Sequence, residues 1–186
     1  MQSFDDLIVP IHDVLCRAMN LPSARVILAN QDRAGPISES YATYLPTPLR
    51  AYGWPSRKSK EIPAVEDFDP AIGAEWTDLE HTLSTNWIVH VSVTAFNKNA
   101  ATNIAKLANS HLRDDILYLC HKHEISFRNI SNVRNLSAVM QGSTQPRYNV
   151  DIEMWARLDV SINILRAARV PFTIRDKDSS NILIEG

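Results

Sequence analysis

A long run of strict period-two alternation constrains the fold of this chain more than any other feature. From Val150 to Ile164, apolar residues occupy every even position and polar residues the positions between them, except at Trp155. This period is typical of a β-strand with one buried face. At ~3.3 Å per residue the segment reaches roughly 50 Å, whereas a compact globule of this length is about 40 Å across. We therefore expect the strand to bend, or to project from its own core and meet a neighbouring subunit.

Size and composition favour one folded domain spanning residues 1–186. The chain is 45% hydrophobic, which is enough for a core. Its formal net charge of -2 offers no bulk attraction to nucleic acid or to an anionic membrane. Cys16 and Cys120 lack CxxC spacing, which predicts free thiols in a reducing compartment. The start has no positively charged signal-peptide region, and no stretch approaches the ~20 apolar residues of a membrane helix, so we expect a cytosolic protein.

The other hydrophobic patterns predict helices and strands in a mixed order. An amphipathic helix is expected from Phe4 to Met19, kinked at Pro10 or beginning there. A strand over Tyr41 to Leu45 soon meets Pro46 and Pro48, which suggests a sheet edge or a bulge. Alternation from Thr77 to Phe96 predicts a central strand, and a helix pair follows between Ala100 and His123. The order predicts an α+β fold in which helices pack on one face of a mostly antiparallel sheet, with one long projecting strand.

The segment from Trp54 to Trp76 differs in character, with three prolines, mixed charge and few apolar residues. It predicts a long loop insertion at about residues 55–75. Connections longer than ~15 residues are usually functional or disordered, so the loop is either an arm that orders against a partner or a solvated insertion. Its basic cluster of Arg57, Lys58 and Lys60 is suited to contact DNA phosphates or an acidic neighbour. A solvated loop accounts for these three charges equally well.

No motif in the sequence predicts catalysis, a cofactor or a bound metal. On one helix, Cys120, His121 and His123 spread over about 300° of arc, so they do not converge on one ion. Neither a GxSxG turn nor a glycine-rich phosphate loop is present. The carboxylates of Asp151 and Glu153 share a strand face that meets water or a partner, where they are simply solvated. We therefore expect a protein that is not an enzyme and holds no cofactor or metal.

Trp155 interrupts the polar face of the long strand, between Glu153 and Arg157. An exposed tryptophan beside an arginine is typical of a protein interface. The alternative is that a helix of the same subunit covers it. The candidate residues for a subunit or partner interface are Trp155, Arg157, Arg57, Lys58 and Lys60.

Several segments of the chain resemble, in order, the neck or tail terminator proteins of tailed bacteriophages. They are the N-terminal helix MQSFDDLIVPIHDVL, Ala29-Asn30-Gln31, Gly35-Pro36, Tyr41-Ala42-Thr43-Tyr44, Val91 to Phe96, the helix beginning at Ala100, Asn135-Leu136-Ser137-Ala138 and the long strand. The resemblance covers nearly the whole chain. The segment from Pro55 to Ile72 is longer than the usual connection in this family.

The resemblance implies an α+β subunit of a ring, most often a hexamer, at the head-proximal end of the tail. Such a ring ends tail-tube growth and contacts tube proteins, sheath proteins where present, and head connector or adaptor proteins. Genomic DNA passes through its bore without sequence-specific binding. The resemblance thus implies a virion protein of the neck, assembled in the host cytoplasm and not in a membrane. As a hypothesis, Asp151, Glu153 and Asp159 line the bore and repel phosphates.

Two alternatives stay open at the level of sequence. Another head-tail connector or adaptor ring has the same lack of chemistry and differs in its neighbours. A small cytosolic enzyme or ligand-binding domain would need a pocket with convergent polar groups, which the sequence does not reveal.

Overall fold

A computed structural model describes residues 3–30, 39–63, 77–140, 143–164, 173–175 and 182–185. Within these residues it contains three α-helices and ten β-strands, so the predicted α+β class is confirmed. The helices are α1 (Ile8–Met19), α2 (Ala100–Ala108) and α3 (Asp114–Lys122). The strands are β1 (Val26–Leu28), β2 (Tyr41–Pro63), β3 (Thr77–Phe96), β4 (Ile125–Ile130), β5 (Arg134–Asn135), β6 (Ala138–Met140), β7 (Ser143–Gln145), β8 (Arg147–Ile164), β9 (Thr173–Arg175) and β10 (Ile182–Glu185).

The main sheet has the strand order β1-β2-β3-β8-β4, and β5 also pairs with β8. Strand β1 runs parallel to β2, whereas β4 and β5 run antiparallel to β8. The pairs β6-β7 and β9-β10 form two further antiparallel sheets. The prediction of a mostly antiparallel sheet is confirmed.

The described chain divides into two compact units. The first comprises Met1–Pro55 and Ser84–Asp159, and the second comprises Ser56–Leu83 and Val160–Gly186. Strands β2, β3 and β8 contribute residues to both units, since they are 23, 20 and 18 residues long. A typical strand has about 5–6 residues.

One face of the main sheet carries the core of the first unit. On β3 and β8 the side chains of the core cluster recur at every second position, as the sequence pattern predicted. The core cluster includes Val89, Val91 and Val93 of β3, Val150, Ile152 and Met154 of β8, Ile11, Val14 and Leu15 of α1, Ile104 and Leu107 of α2, and Ile116 of α3. Each fully buried side chain of this kind contributes about 1.5–3 kcal/mol of transfer free energy. All three helices therefore pack on this face.

The N-terminal helix begins close to Pro10, one of the two predicted alternatives. A 3₁₀ turn at Asp5–Leu7 precedes α1, whose first α-helical residue is Ile8. Pro10 is buried in the first turn, where its missing N–H costs no helical hydrogen bond. The helix ends at Met19 and is capped by Asn20, which has a φ of 56° and donates its backbone N–H to the Cys16 carbonyl.

The prediction of a loop beginning near residue 55 is wrong for the part that the structure describes. Strand β2 continues through Pro63, and residues 64–76 lie outside the described residues. The backbone of β2 is paired with β3, and composition does not reveal this non-local pairing. Strand β1 pairs only with Ala42 to Tyr44, so Pro46 and Pro48 lie where β2 has no described partner on that side. Proline lacks a donor for a ladder, so this position suits both residues, and the sheet edge or bulge expected there stays a prediction.

Candidate functional site

The sheet face opposite the core carries a hydrogen-bonded network centred on Asp151 of β8. Its Oδ1 accepts a hydrogen bond of 2.8 Å from the Ser92 hydroxyl of β3 and lies 3.8 Å from His90 Nε2. The other carboxylate oxygen is paired with Arg134 of β5. Ser131 completes the network, since its hydroxyl accepts the backbone N–H of Asp151 at 2.9 Å. Four separate segments are thus connected through one residue.

Asn149 extends this network into the interior. Its side chain is buried and donates to the Ser92 hydroxyl and to the Val93 carbonyl, both at 3.1 Å. Its Oδ1 accepts a 2.7 Å hydrogen bond from Arg134. Because the amide of Asn149 and the carboxylate of Asp151 bind the same guanidinium, β5 is held in a defined position against β8.

Ser92, His90 and Asp151 are the residue types of a nucleophilic triad, but the hydrogen bonds between them differ from those of a triad. In serine catalysis an imidazole accepts the hydroxyl proton and a carboxylate orients the imidazole. Here the Ser92 hydroxyl donates to Asp151 itself, and that carboxylate also binds Arg134. The arrangement therefore connects strands β3, β5 and β8 and does not activate the serine.

Two further arginine–carboxylate pairs lie along β8. Glu153 is paired with Arg128 of β4. Asp159 accepts a 2.8 Å hydrogen bond from Arg157 Nε, while another guanidinium nitrogen of Arg157 donates to Ser84 at 2.8 Å. Burial acts to raise the pKa of Asp159, but hydrogen bonds from Ser84 and Arg157 and the Arg157 charge outweigh it and lower that pKa. The hydrogen bond to Asp159 and its charge raise the pKa of Arg157 in turn.

The three carboxylates predicted to line a bore each have an arginine partner in the same subunit. Asp151, Glu153 and Asp159 bind Arg134, Arg128 and Arg157 in that order. Arg128 and Arg134 were not predicted as partners of these carboxylates, because they reach β8 only through the pairing of β4 and β5 with it. Each of the three carboxylates is therefore charge-paired within one subunit, and their place at a bore stays a prediction.

Trp155 lies on this same face, where it remains 39% exposed. Its ring stacks on Tyr52 of β2, with centroids 5.1 Å apart and an interplanar angle of 24°. An aromatic side chain of a strand, and not a helix, is thus its stacking partner. Trp155 and Arg157 line an open groove of about 570 Å³ together with His121, Lys122 and Ser126.

The predicted basic cluster lies on β2 and belongs to the second unit. Arg57, Lys58 and Lys60 are all exposed. Trp155 and Arg157 belong to the first unit. The predicted interface residues therefore do not form one cluster within a single unit.

The long strands carry exposed apolar side chains that no sequence pattern predicted as a site. On β8, Val160, Ile162 and Ile164 are 44%, 49% and 40% exposed, although they continue the alternation that is buried earlier in the strand. On β2, Trp54 is 97% exposed and follows Gly53, whose φ is 75°. Alternation in the sequence predicts the strand, but it does not predict where along the strand the apolar side chains become exposed.

An apolar groove of about 230 Å³ lies beside the start of α1. We call it the N-terminal groove. It is lined by Phe4, Asp5, Leu7, Ile8, Leu28, Ala29, Leu45, Pro46, Pro48 and Val89. Asp5 supplies the one charged side chain of this lining, and it is exposed.

Cys16 and Cys120 carry free thiols, as predicted. Burial is the main cause that raises the pKa of each thiol to about 11. Among the described residues, no three His, Cys, Asp or Glu side chains are grouped as a metal site requires. No helix in the described part of the chain has the length and apolar character needed to cross a membrane.

The sequence was compared with curated proteins and with models of known families. No curated protein matches the chain significantly. A family model described as phage neck terminator protein matches residues 5–178. This match covers the helices, the main sheet and the long strands described above. The chain therefore belongs to the phage neck terminator protein family, a family of structural proteins of the phage virion.

Proposed function

We propose that this chain forms a closed ring at the head-proximal end of the phage tail, and we expect the ring to contain six subunits. The ring ends growth of the tail tube and joins the tube, and the sheath where one is present, to the head connector or adaptor proteins. Genomic DNA passes through the bore without sequence-specific binding. Membership of the neck terminator family supports this function, because it implies contacts with other tail and head proteins and an oligomer.

The observation that carries the proposal is the exposed apolar end of β8. The even positions from Val150 to Ala156 are buried, whereas Val160, Ile162 and Ile164 on the same alternating series are exposed. Contiguous apolar surface of this kind typically marks a protein contact. In a ring, each subunit covers such a surface on its neighbour. Contacts between unlike surfaces close into a ring when the rotation between subunits permits.

Trp155 with Arg157, and the basic residues Arg57, Lys58 and Lys60, are the proposed contacts with neighbouring subunits or neck proteins. All five are at least partly exposed. Tryptophan and arginine are enriched among residues that dominate binding energy. Asp151, Glu153 and Asp159 are the proposed lining of the bore, where their arginine pairs would leave little net attraction for phosphate.

The first test is the mass of the purified chain by native mass spectrometry, with negative-stain images of the same sample. We expect closed particles with a mass of about six times the 21.0 kDa subunit. These particles should bind to the open end of assembled tail tubes of the same phage. A chain that stays monomeric and does not bind tube ends would overturn the proposal. Rings that bind connectors but not tubes would assign the chain to a different layer of the neck.

A charged substitution at the exposed end of β8 tests whether this apolar surface forms a subunit contact. Ile162→Asp should abolish ring formation while the monomer stays folded, because the carboxylate would be desolvated in the subunit contact. Asn163→Asp is the matched control, since it is the adjacent exposed position on the other face of β8. Rings that form equally well with Ile162→Asp would exclude this face from the contact.

A further inference from the structure

Trp54 is the most exposed large apolar side chain in the described part of the molecule, at 97%. It follows Gly53, whose φ of 75° lies in the left-handed region that glycine adopts readily. A glycine of this conformation inside a strand is typical of a bulge that redirects the next side chain. A tryptophan side chain presents about 150–250 Å² of surface for burial. The backbone therefore presents Trp54 outward as a projecting aromatic group.

The N-terminal groove has the size and the chemistry to accept such a group. Its volume is about 230 Å³, whereas an apolar cavity of about 150 Å³ already holds benzene. The lining side chains are apolar apart from Asp5. A buried indole N–H usually requires a hydrogen-bond acceptor, and the Asp5 carboxylate supplies one at this groove.

We propose that the N-terminal groove of one subunit binds Trp54 of a second copy of this chain. The inference rests on the proposed ring and identifies one of its subunit contacts. Trp54 lies on β2, whereas the groove is built mainly by the start of α1 together with β1 and the beginning of β2. Because the two surfaces differ, the contact is heterologous and repeats from subunit to subunit.

Opposite charges near Trp54 and at the N-terminal groove also favour a second copy of this chain as the partner. Arg50 is exposed on β2, four residues before Trp54, and Asp5 is exposed at the groove. Arg50 and Asp5 carry opposite charges, so a copy that brings this part of β2 to the groove of another copy brings a complementary charge with it. Complementary charges at the rim of an interface accelerate association and select its orientation. Two copies of this chain therefore supply every part of the contact, with Trp54 and Arg50 from one copy and the groove with Asp5 from the other.

Photo-cross-linking tests the contact directly in the full chain. We would place the aromatic photo-cross-linker p-benzoylphenylalanine at position 54 and irradiate a mixture of isotope-labelled and unlabelled copies. Mass spectrometry should find links between differently labelled copies at Phe4, Leu7 or Leu28. The same cross-linker at Ala51, an exposed position on the same strand, is the control and should give no link to the groove. Links from position 54 only to another protein, or to other surfaces, would overturn the inference.

A substitution series measures how much the contact contributes to assembly. Trp54→Ala should raise the subunit concentration needed for half-assembly about tenfold or more, as expected for a hot-spot residue. Leu112→Ala is the matched control, because Leu112 is 76% exposed and lies outside the groove. Circular dichroism and the thermal midpoint should show that both variants are folded.

The outcomes separate this inference from the proposed function. Rings that assemble normally with Trp54→Ala and show no groove cross-link would overturn the docking and leave the ring intact. Groove cross-links in assemblies that are open filaments, and that do not bind tail tubes, would support the docking and overturn the ring. A wild-type chain that stays monomeric would overturn both.

Discussion

At the scale of single residues, Asn149 is a buried polar side chain whose hydrogen bonds connect β8 to β3 and β5. It is buried and hydrogen-bonded to Ser92, Val93 and Arg134. Asn149→Ala removes these bonds and should lower the free energy of unfolding by about 1–3 kcal/mol. Asn132→Ala, at an exposed asparagine, is the control and should change it by less than about 0.5 kcal/mol. Equal urea midpoints for the two variants would contradict this role of Asn149.

The buried thiol of Cys120 predicts how stability depends on alkaline pH. Burial raises its pKa from 9.0 to about 11 in the folded chain. The folded state therefore favours the protonated thiol, so this contribution is complete below pH 9 and is lost as the pH rises toward 11. Urea unfolding across this alkaline range should show a smaller decline for Cys120→Ala than for wild type. Parallel declines would exclude a contribution from this thiol.

At the scale of elements, the long β2 depends on a backbone conformation at Gly53 that other residues rarely adopt. A Cβ at this position would meet no atom within 4 Å, so the cost of substitution is conformational and not steric. Gly53→Ala should destabilise the chain by about 1–2 kcal/mol, because an L-residue at a φ of 75° is strained. Thermal or urea unfolding measures this cost, and Ala51→Gly is the control for altered strand propensity. A neutral Gly53→Ala would indicate that β2 relaxes to an ordinary extended conformation.

At the scale of the whole molecule, the arginine–carboxylate pairs along β8 predict how strongly an assembled ring attracts DNA. If Glu153 lines the bore, Glu153→Lys should make assembled rings retain DNA, since the introduced ammonium group would join Arg128 in attracting phosphate. Retention should weaken between about 50 and 200 mM salt, by roughly the amount expected for a few phosphate contacts. Asp114→Lys, the same charge change at an exposed site on α3, is the control. Similar DNA binding by both variants would place Glu153 outside the bore.

Local periodicity predicted much of the fold. The alternation from Thr77 to Phe96 corresponds to β3, and the alternation from Val150 to Ile164 corresponds to all but the first residues of β8. These predictions succeeded because a strand with one buried face imposes its period on neighbouring residues. The loop prediction failed over Ser56 to Pro63, because prolines and charges resemble a loop locally while pairing with β3 forms a strand. The structure divides into two compact units. One folded domain over residues 1–186 stays a prediction.

The sequence by itself determined the α+β class, the long alternating strand and the resemblance to neck terminators. Each of these depends on residues close together in the chain. Only the tertiary structure decided that Arg128 and Arg134 neutralise the carboxylates of β8, that Tyr52 stacks on Trp155, and that Trp54 and Ile162 are left uncovered. The physical reason is that charge pairing and burial depend on which distant segments meet in the sheet, whereas the period of a strand is a local property of its backbone.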